Sequence, residues 1–363
     1  MLTNLCLTDQ SPLGDNRVLS SVRETGISSI INIMSVAVPS HPPRLLFIKI
    51  LFLAFFSAIF KVKWRFFNTN TLFSGFKKSL NMLATAVSSG RSLSQLYAND
   101  TIYAIYAHDL HAMITAISIN LPRSCRITYD SHEVQFSRNR KNGLLRSMLE
   151  CGLEFIALHR ADEAVFVNNR ITNLMRAVYG KLPPSRVRSN DFYVHHPLPH
   201  PHKNVLPPAI VYVGKGTSGR GFELLNSSTA AKFFTVHMFL CGLPIPEKFE
   251  NNFWNIGASD YKSELLGLVR SRRCVMWCYL EPTCLSYKLA TPNKFYQALA
   301  VGMPIVASKN TYLAEIVSTN NSGYIFDDTG FDSLYTAITT DNYWNLVKNI
   351  GFFRERIKNN TLI

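Results

Sequence analysis

Lys215 and Arg220 stand five residues apart in the glycine-rich run Gly214-Lys215-Gly216-Thr217-Ser218-Gly219-Arg220-Gly221. The glycines let the backbone pass close to a ligand, and two cations at that spacing can clamp one diphosphate through charge-assisted hydrogen bonds. The run is not a Walker A motif, because no Lys-Ser/Thr pair closes it. A second anion site is written between Ser286 and Ser308. Pro292 is placed to start a helix, Gly302 to stop it, and Met303-Pro304 leads into a short strand, Ile305-Val306-Ala307. Asn293 and Lys294 then fall on the first turn, where unpaired N–H groups and the positive end of the helix dipole suit a diphosphate.

In the N-terminal half, polar groups follow apolar strands. Thr101 to Ala107 reads as a strand ending at His108-Asp109, and Arg126 to Tyr129 as one ending at Asp130-Ser131-His132-Glu133. Open α/β sheets bind ligands just past the carboxyl ends of their strands. A neutral imidazole there can hydrogen-bond a substrate without carrying charge, although a lone histidine is more often structural. Arg138, Arg140, Lys141 and Arg146 come next. That charge run suits either a solvated face or an anionic ligand.

The elements that would position these residues alternate in type. Besides the two strands, a long helix is expected over 143–160, a strand at Ala164-Val165-Phe166-Val167, and a helix capped by Asn168 or Asn169 that runs to Tyr179-Gly180. Near the start, Asp15-Asn16-Arg17-Val18 opens a helical run and Ile27 to Met34 is a candidate buried strand. Val194 to Pro208 is proline- and histidine-rich and reads as a linker. Its clustered histidines lack a spaced carboxylate or thiol partner, so no metal site is expected. A second α/β pattern begins at Ala209, includes a helix near Phe222, and closes with a helix from Tyr343 to about Lys358.

Leu45 to Phe60 is a sixteen-residue apolar stretch with one charge, Lys49, and with Arg44, Lys61, Lys63 and Arg65 around it. It is shorter than the roughly 20 residues needed to span a bilayer. It suits a helix lying in the headgroup layer of an anionic membrane, and equally the core helix of an α/β domain.

A chain of 363 residues accommodates two domains, and a net charge of +14 calls for an anionic partner. No RNP-type motif, zinc-finger spacing or basic block is present, which excludes the usual nucleic-acid modules. The seven scattered cysteines match no disulfide or zinc framework and read as reduced core thiols of a cytoplasmic protein. No signal peptide is expected, since the N-terminus lacks a basic start followed by an apolar core.

Together, the Gly214–Gly221 run and SYKLATPNKFYQALAVGMPIVAS resemble the nucleotide-sugar site of retaining GT-B glycosyltransferases, family 4 or glycosyl transferases group 1. TYDSHE at 128–133 and YAHDL at 106–110 resemble that family's acceptor-domain motifs. The resemblance covers about residues 100–363. It implies an α/β GT-B fold of two facing Rossmann-like domains with parallel sheets. Residues 1–200 would form an acceptor-binding domain with a membrane-surface helix at 45–65. Residues 201–342 would bind the nucleotide sugar, and a terminal helix over 343–363 would pack back on the first domain.

The resemblance also implies roles. Lys215 and Arg220 would bind the leaving diphosphate, although the family more often has arginine first and lysine second. Gly214, Pro292, Asn293, Lys294 and Gln297 would hold the donor. His132 would lie near the donor sugar, and His108, Asp109, Arg138 and Arg140 would line the acceptor side. No metal and no cofactor beyond the nucleotide-diphosphate sugar is implied. The family's ribose-binding glutamate is Gln297 here, and its other acid is Leu289. The first acid is commonly absent in the subgroup with this motif, so Gln297 is the real departure.

The expected function is retaining sugar transfer to a saccharide, taken as lipid-linked, for surface polysaccharide at the inner face of the plasma membrane. The expected partners are the donor, the saccharide acceptor and an anionic membrane, with no nucleic acid. A non-catalytic partner subunit, or another GT-B enzyme such as a nucleotide-sugar epimerase, is the alternative. Glu281 is left unassigned.

Overall fold

The computed structural model describes residues 2–8, 29–32, 44–62, 73–99, 101–138, 143–189, 206–214, 218–225, 228–240, 253–255, 261–327 and 330–358. Contacts divide the chain into two units, Met1–Ser189 and Asn190–Ile363. The helical run expected at Asp15, most of the 194–208 linker, Arg140 and Lys215 lie outside the described residues.

The first unit holds a parallel sheet of β1 (Leu2–Thr8), β2 (Ser29–Asn32), β3 (Thr101–His108), β4 (Arg126–Ser131), β5 (Glu163–Phe166) and β6 (Ser185–Val187). Its order is β2-β1-β3-β4-β5-β6. The described helices are α1 (Arg44–Lys61), α2 (Phe76–Leu96), α3 (Asp109–Ser118), α4 (Leu144–Arg160) and α5 (Asn169–Tyr179). Asn168 caps α5, its Oδ1 accepting a hydrogen bond from the Ile171 N–H at 2.9 Å.

Helix α1 has a buried face, as the core-helix reading expects, and an exposed apolar face. Ile50, Ala54, Ser57 and Ala58 are buried. There Gly152 of α4 comes so close that a Cβ on it would overlap the Ala54 carbonyl oxygen. Leu45, Ile48, Phe52, Phe56 and Phe60 recur every three or four residues on the other face, each exposed. Among the described residues, no helix is long and apolar enough to cross a membrane.

Arg146 departs from its reading as part of a surface charge run. It is buried, and its Nε donates to Glu150 Oε1 at 2.8 Å while Ser79 of α2 donates to the same oxygen at 2.6 Å. One turn of helix separates the arginine from its acid, so the pair folds inward together and braces α2 against α4.

The second unit holds another parallel sheet: β7 (Leu206–Gly214), β8 (Thr235–Leu240), β9 (Phe253–Asn255), β10 (Arg272–Trp277), β11 (Ile305–Ser308) and β12 (Gly323–Phe326). The order is β12-β11-β10-β7-β8-β9. Strand β7 takes up the end of the proline-rich segment. Its register with β10 shifts between Arg272 and Cys274, opposite Pro207-Pro208, because proline cannot donate to the ladder.

Both faces of this sheet are covered. Ala209, Val211 and Val213 enter one apolar cluster, and Ile210 and Tyr212 enter the other, as period-two alternation requires of a doubly covered strand. The helices are α6 (Phe222–Leu225), α7 (Ser228–Phe233), α8 (Tyr261–Ser271), α9 (Leu285–Leu289), α10 (Asn293–Val301), α11 (Tyr312–Thr319), α12 (Gly330–Thr339) and α13 (Asn342–Lys358). Ile350, Phe353 and Ile357 of α13 belong to the core of this unit. Tyr343 anchors the helix start, its hydroxyl 3.0 Å from the Cys274 N–H and 3.1 Å from the Cys274 carbonyl.

Candidate functional site

Strand order in the second unit reverses between β7 and β10, and at such a reversal open parallel sheets bind ligands outside the carboxyl ends of their strands. Gly214 closes β7, and Gly219 and Gly221 follow with φ of 82° and 69°. A Cβ on Gly221 would meet Trp277 Nε1 and Tyr279 Cδ1 at 2.7 Å, so only glycine lets the loop rest on that stacked ring pair. The Gly219 carbonyl then accepts a hydrogen bond from the Glu281 N–H at 2.8 Å. The glycine loop and the segment after β10 thereby form one ledge at the reversal point. Glu281 is part of that ledge, a placement that its distance along the chain conceals.

Arg220 sits on this ledge, with its Nε enclosed and without a hydrogen-bond partner among the described residues. Helix α10 begins at Asn293, so Pro292 is its N-cap and Asn293 is exposed on the first turn. Its end is closed as the sequence requires. Gly302 takes φ of 73°, and the Met303 N–H reaches back to the Ala298 carbonyl at 2.9 Å.

Lys294 turns inward. Its Nζ lies 4.5 Å from the centroid of the Tyr212 ring on β7 and has no hydrogen-bond acceptor among the described residues. Burial lowers its pKa from 10.5 to about 7, with Cys278 raising it and Arg220 lowering it further. Gln297, one turn later, is also buried. Arg220 and Lys294 are thus brought together near β7, and an arriving anion would find one fixed cation and one that can take up a proton.

In the first unit, β3 and β4 pair in a register that sets His108 opposite Asp130. Nδ1 of His108 is 3.1 Å from Nε2 of His132 and 3.3 Å from Asp130 Oδ2. Asp109 has φ of 64°, a left-handed value that an aspartate tolerates better than most residues. Its Oδ1 accepts hydrogen bonds from the His132 N–H at 3.0 Å and from Gln135 Nε2 at 3.1 Å. Burial opposes charge on this carboxyl, yet His132, Arg138 and the His132 N–H together hold its pKa below the usual value.

Arg138 pairs with Glu133 through its Nε at 2.9 Å on a partly exposed face. His108, Asp109 and His132 are therefore one cluster, with Arg138 beside it. Asp130 was not singled out from sequence. Only the β3–β4 register brings it to His108. Behind the cluster Glu154 is fully buried, its pKa raised to about 8 by burial, and it accepts hydrogen bonds from Tyr129 at 3.0 Å and Tyr179 at 2.9 Å.

No protein-family model and no curated protein matches the chain. Solved structures do. Sucrose-phosphate synthase from Thermosynechococcus elongatus superposes with a TM-score of 0.57 at 16% identity, over 76% of this chain and 74% of that one. HepE from Anabaena, in complex with UDP-glucose, does so with a TM-score of 0.55 at 14% identity, over 98% and 95%. The fold is GT-B. Within this GT-B chain the glycine ledge belongs to the second unit and the histidine–carboxylate cluster to the first.

Proposed function

We propose that the chain is a retaining glycosyltransferase that takes a sugar from a nucleotide-diphosphate sugar and passes it to a saccharide acceptor, lipid-linked, during surface polysaccharide synthesis. The observation that carries the reading is the ledge at the β7/β10 reversal. It combines positive-φ glycines, Arg220, buried Lys294 and the first turn of α10. Such a set of cations and N–H groups offsets the charge that develops on a leaving diphosphate. Two structural neighbours support it, one a sucrose-phosphate synthase and the other, HepE, solved in complex with UDP-glucose.

In the reaction, the bond from the anomeric carbon to the diphosphate oxygen breaks with its electrons going to that oxygen. The acceptor hydroxyl oxygen bonds to the same carbon on the same face, and its proton goes to the departing diphosphate. Lys215, Arg220 and Lys294 bind the diphosphate, and Gly214, Pro292, Asn293 and Gln297 complete the donor site. His132 hydrogen-bonds the sugar or the departing oxygen, while His108, Asp109, Arg138 and Arg140 form the acceptor side. No cofactor beyond the donor is needed.

The apolar face of α1, flanked by Arg44 and Lys61, supports a place on the cytoplasmic face of the plasma membrane, where a lipid-linked acceptor would be met.

Calorimetry with UDP and GDP tests the reading. Micromolar binding of one nucleotide, lost in a Lys215→Ala/Arg220→Ala variant, is expected. A folded protein that binds neither nucleotide would refute it. Gln297, standing where the resemblance puts a ribose-binding glutamate, favours a second reading as a non-catalytic partner subunit. In that case Gln297→Glu would create donor binding where none existed.

A further inference from the structure

Three metal-ligating atoms converge where β3 and β4 end. His108 Nδ1, Asp130 Oδ2 and His132 Nε2 lie 3.1, 3.3 and 3.7 Å from one another. We propose that this triad binds a divalent ion of the zinc type, through two imidazoles and one carboxylate, with a fourth position left open.

The spacing is that of a tetrahedral site. An ion with bonds of about 2.0–2.1 Å holds its ligand atoms about 3.3–3.4 Å apart, inside the observed range. An octahedral ion with bonds of about 2.1 Å would draw neighbouring ligands to about 3.0 Å, shorter than any of the three separations. Two imidazole lone pairs and a carboxylate oxygen repel one another unless protons or a cation lie among them. The donor set suits zinc or cobalt, since thiolate-seeking copper(I) and oxygen-seeking magnesium would prefer other ligands.

The surroundings fit as well. His108 and Asp130 are buried, whereas the His132 side chain is 15% exposed, which puts the open position at the rim. Asp109 Oδ2 lies 3.8 Å from the other nitrogen of His132, Nδ1, too far for a hydrogen bond but near enough to favour the ring proton there and leave the Nε2 lone pair facing the triad. A carboxylate behind a histidine is the usual outer partner of a metal-bound ring. Tyr106 donates to Asp130 Oδ2 at 3.3 Å and fixes the third ligand.

An ion there would engage Nε2 of His132, the nitrogen that faces His108 and Asp130, and would tie up the residue assigned to the substrate. It would inhibit transfer rather than assist it. That consequence rests on the transferase reading, and the site itself does not.

Cobalt(II) is the probe, because tetrahedral cobalt absorbs visible light far more strongly than octahedral cobalt. His195, His196, His200 and His202 could bind metal independently, so the full chain is titrated both unaltered and with those four replaced by alanine. One equivalent of strongly absorbing cobalt, displaced by zinc, is expected in both. It should be lost in Asp130→Asn and in His132→Ala, each with native circular dichroism. Should Asp130→Asn not fold, His132→Ala at the rim decides. Absorption that survives these substitutions, disappears with the linker histidines, or never develops would overturn the site and leave a proton-bridged network only. UDP binding is measured on the same samples without acceptor. The metal site can then fail with UDP bound, and the transferase reading can fail with cobalt bound.

Discussion

Gly152 and Ala54 meet backbone to backbone, with no room for a single methyl group between α4 and α1. The contact fixes which face of α1 turns inward, and so which face carries its exposed phenylalanines. Backbone cannot swing aside as a flexible side chain can. Gly152→Ala is therefore expected to cost roughly 1–3 kcal/mol, and Gly152→Val more. Urea unfolding followed by circular dichroism would measure it, and an unchanged midpoint would show that the helices separate without penalty.

The opposite face of α1 predicts membrane behaviour. Phe52, Phe56 and Phe60 are 68%, 46% and 67% exposed, and each can bury its ring in the acyl boundary. Replacing all three by serine should weaken sedimentation with anionic vesicles by at least about tenfold, since one buried phenylalanine is worth about 1.5–3 kcal/mol. Salt should weaken the unaltered protein less, because screening acts on the basic flanks and not on the rings. Equal sedimentation of the two proteins would remove α1 from the membrane.

Lys294 gives stability a pH dependence of known sign. Its pKa is 10.5 ordinarily and about 7 in the fold. Between those values the unfolded chain holds a proton that the folded chain does not, so stability rises with pH across that window, by at most about 1.4 kcal/mol per unit. Lys294→Met removes the penalty. Its gain in melting temperature should be greatest at pH 7 and below and should vanish toward pH 10. Parallel melting curves would mean that the amine remains charged in the fold.

Under the proposed function, His132 is expected to separate catalysis from donor binding. It belongs to the first unit and the glycine ledge to the second. His132→Ala is expected to lower turnover by about 10²-fold or more, as loss of a hydrogen bond made in the transition state does, while UDP affinity stays unchanged. Transfer rates beside calorimetry on the same variant check this. A parallel fall in both would place His132 in donor binding instead.

Asp109 should act through position. Its carboxylate accepts the His132 N–H, and its backbone is already left-handed. Asp109→Asn keeps an acceptor and tolerates that φ, whereas Asp109→Ala does neither. Turnover in the alanine variant should fall well below that in the asparagine variant. Equal losses would show that charge, and not placement, is what matters.

The local signals in the sequence proved reliable where one turn of chain decides the outcome. Gly302 ends α10 and Asn168 caps α5 because each supplies the backbone angle or the oxygen its helix terminus requires. Strand ends at His108 and Asp130 were legible for the same reason. What needed a second strand was not. Asp130 joins His108 only through the β3–β4 register, and Glu281 joins Gly219 only because β7 and β10 are neighbours. Direction was hidden too. Arg146 and Lys294 look like solvent-facing cations by type, and one is buried against Glu150 and the other over Tyr212. Composition describes a charge without saying which way its side chain turns.

The order of the second sheet has a consequence for engineering. The chain leaves the ledge after β7, travels out to the sheet edge through β8 and β9, and returns at β10 beside its point of departure. Gly219 and Glu281 are held by the two central strands and by the hydrogen bond between them. An affinity tag or fluorophore joined at the β9 edge of this sheet would sit two strands away from β7. It gives a place to attach a reporter while Gly219 and Glu281 keep their spacing.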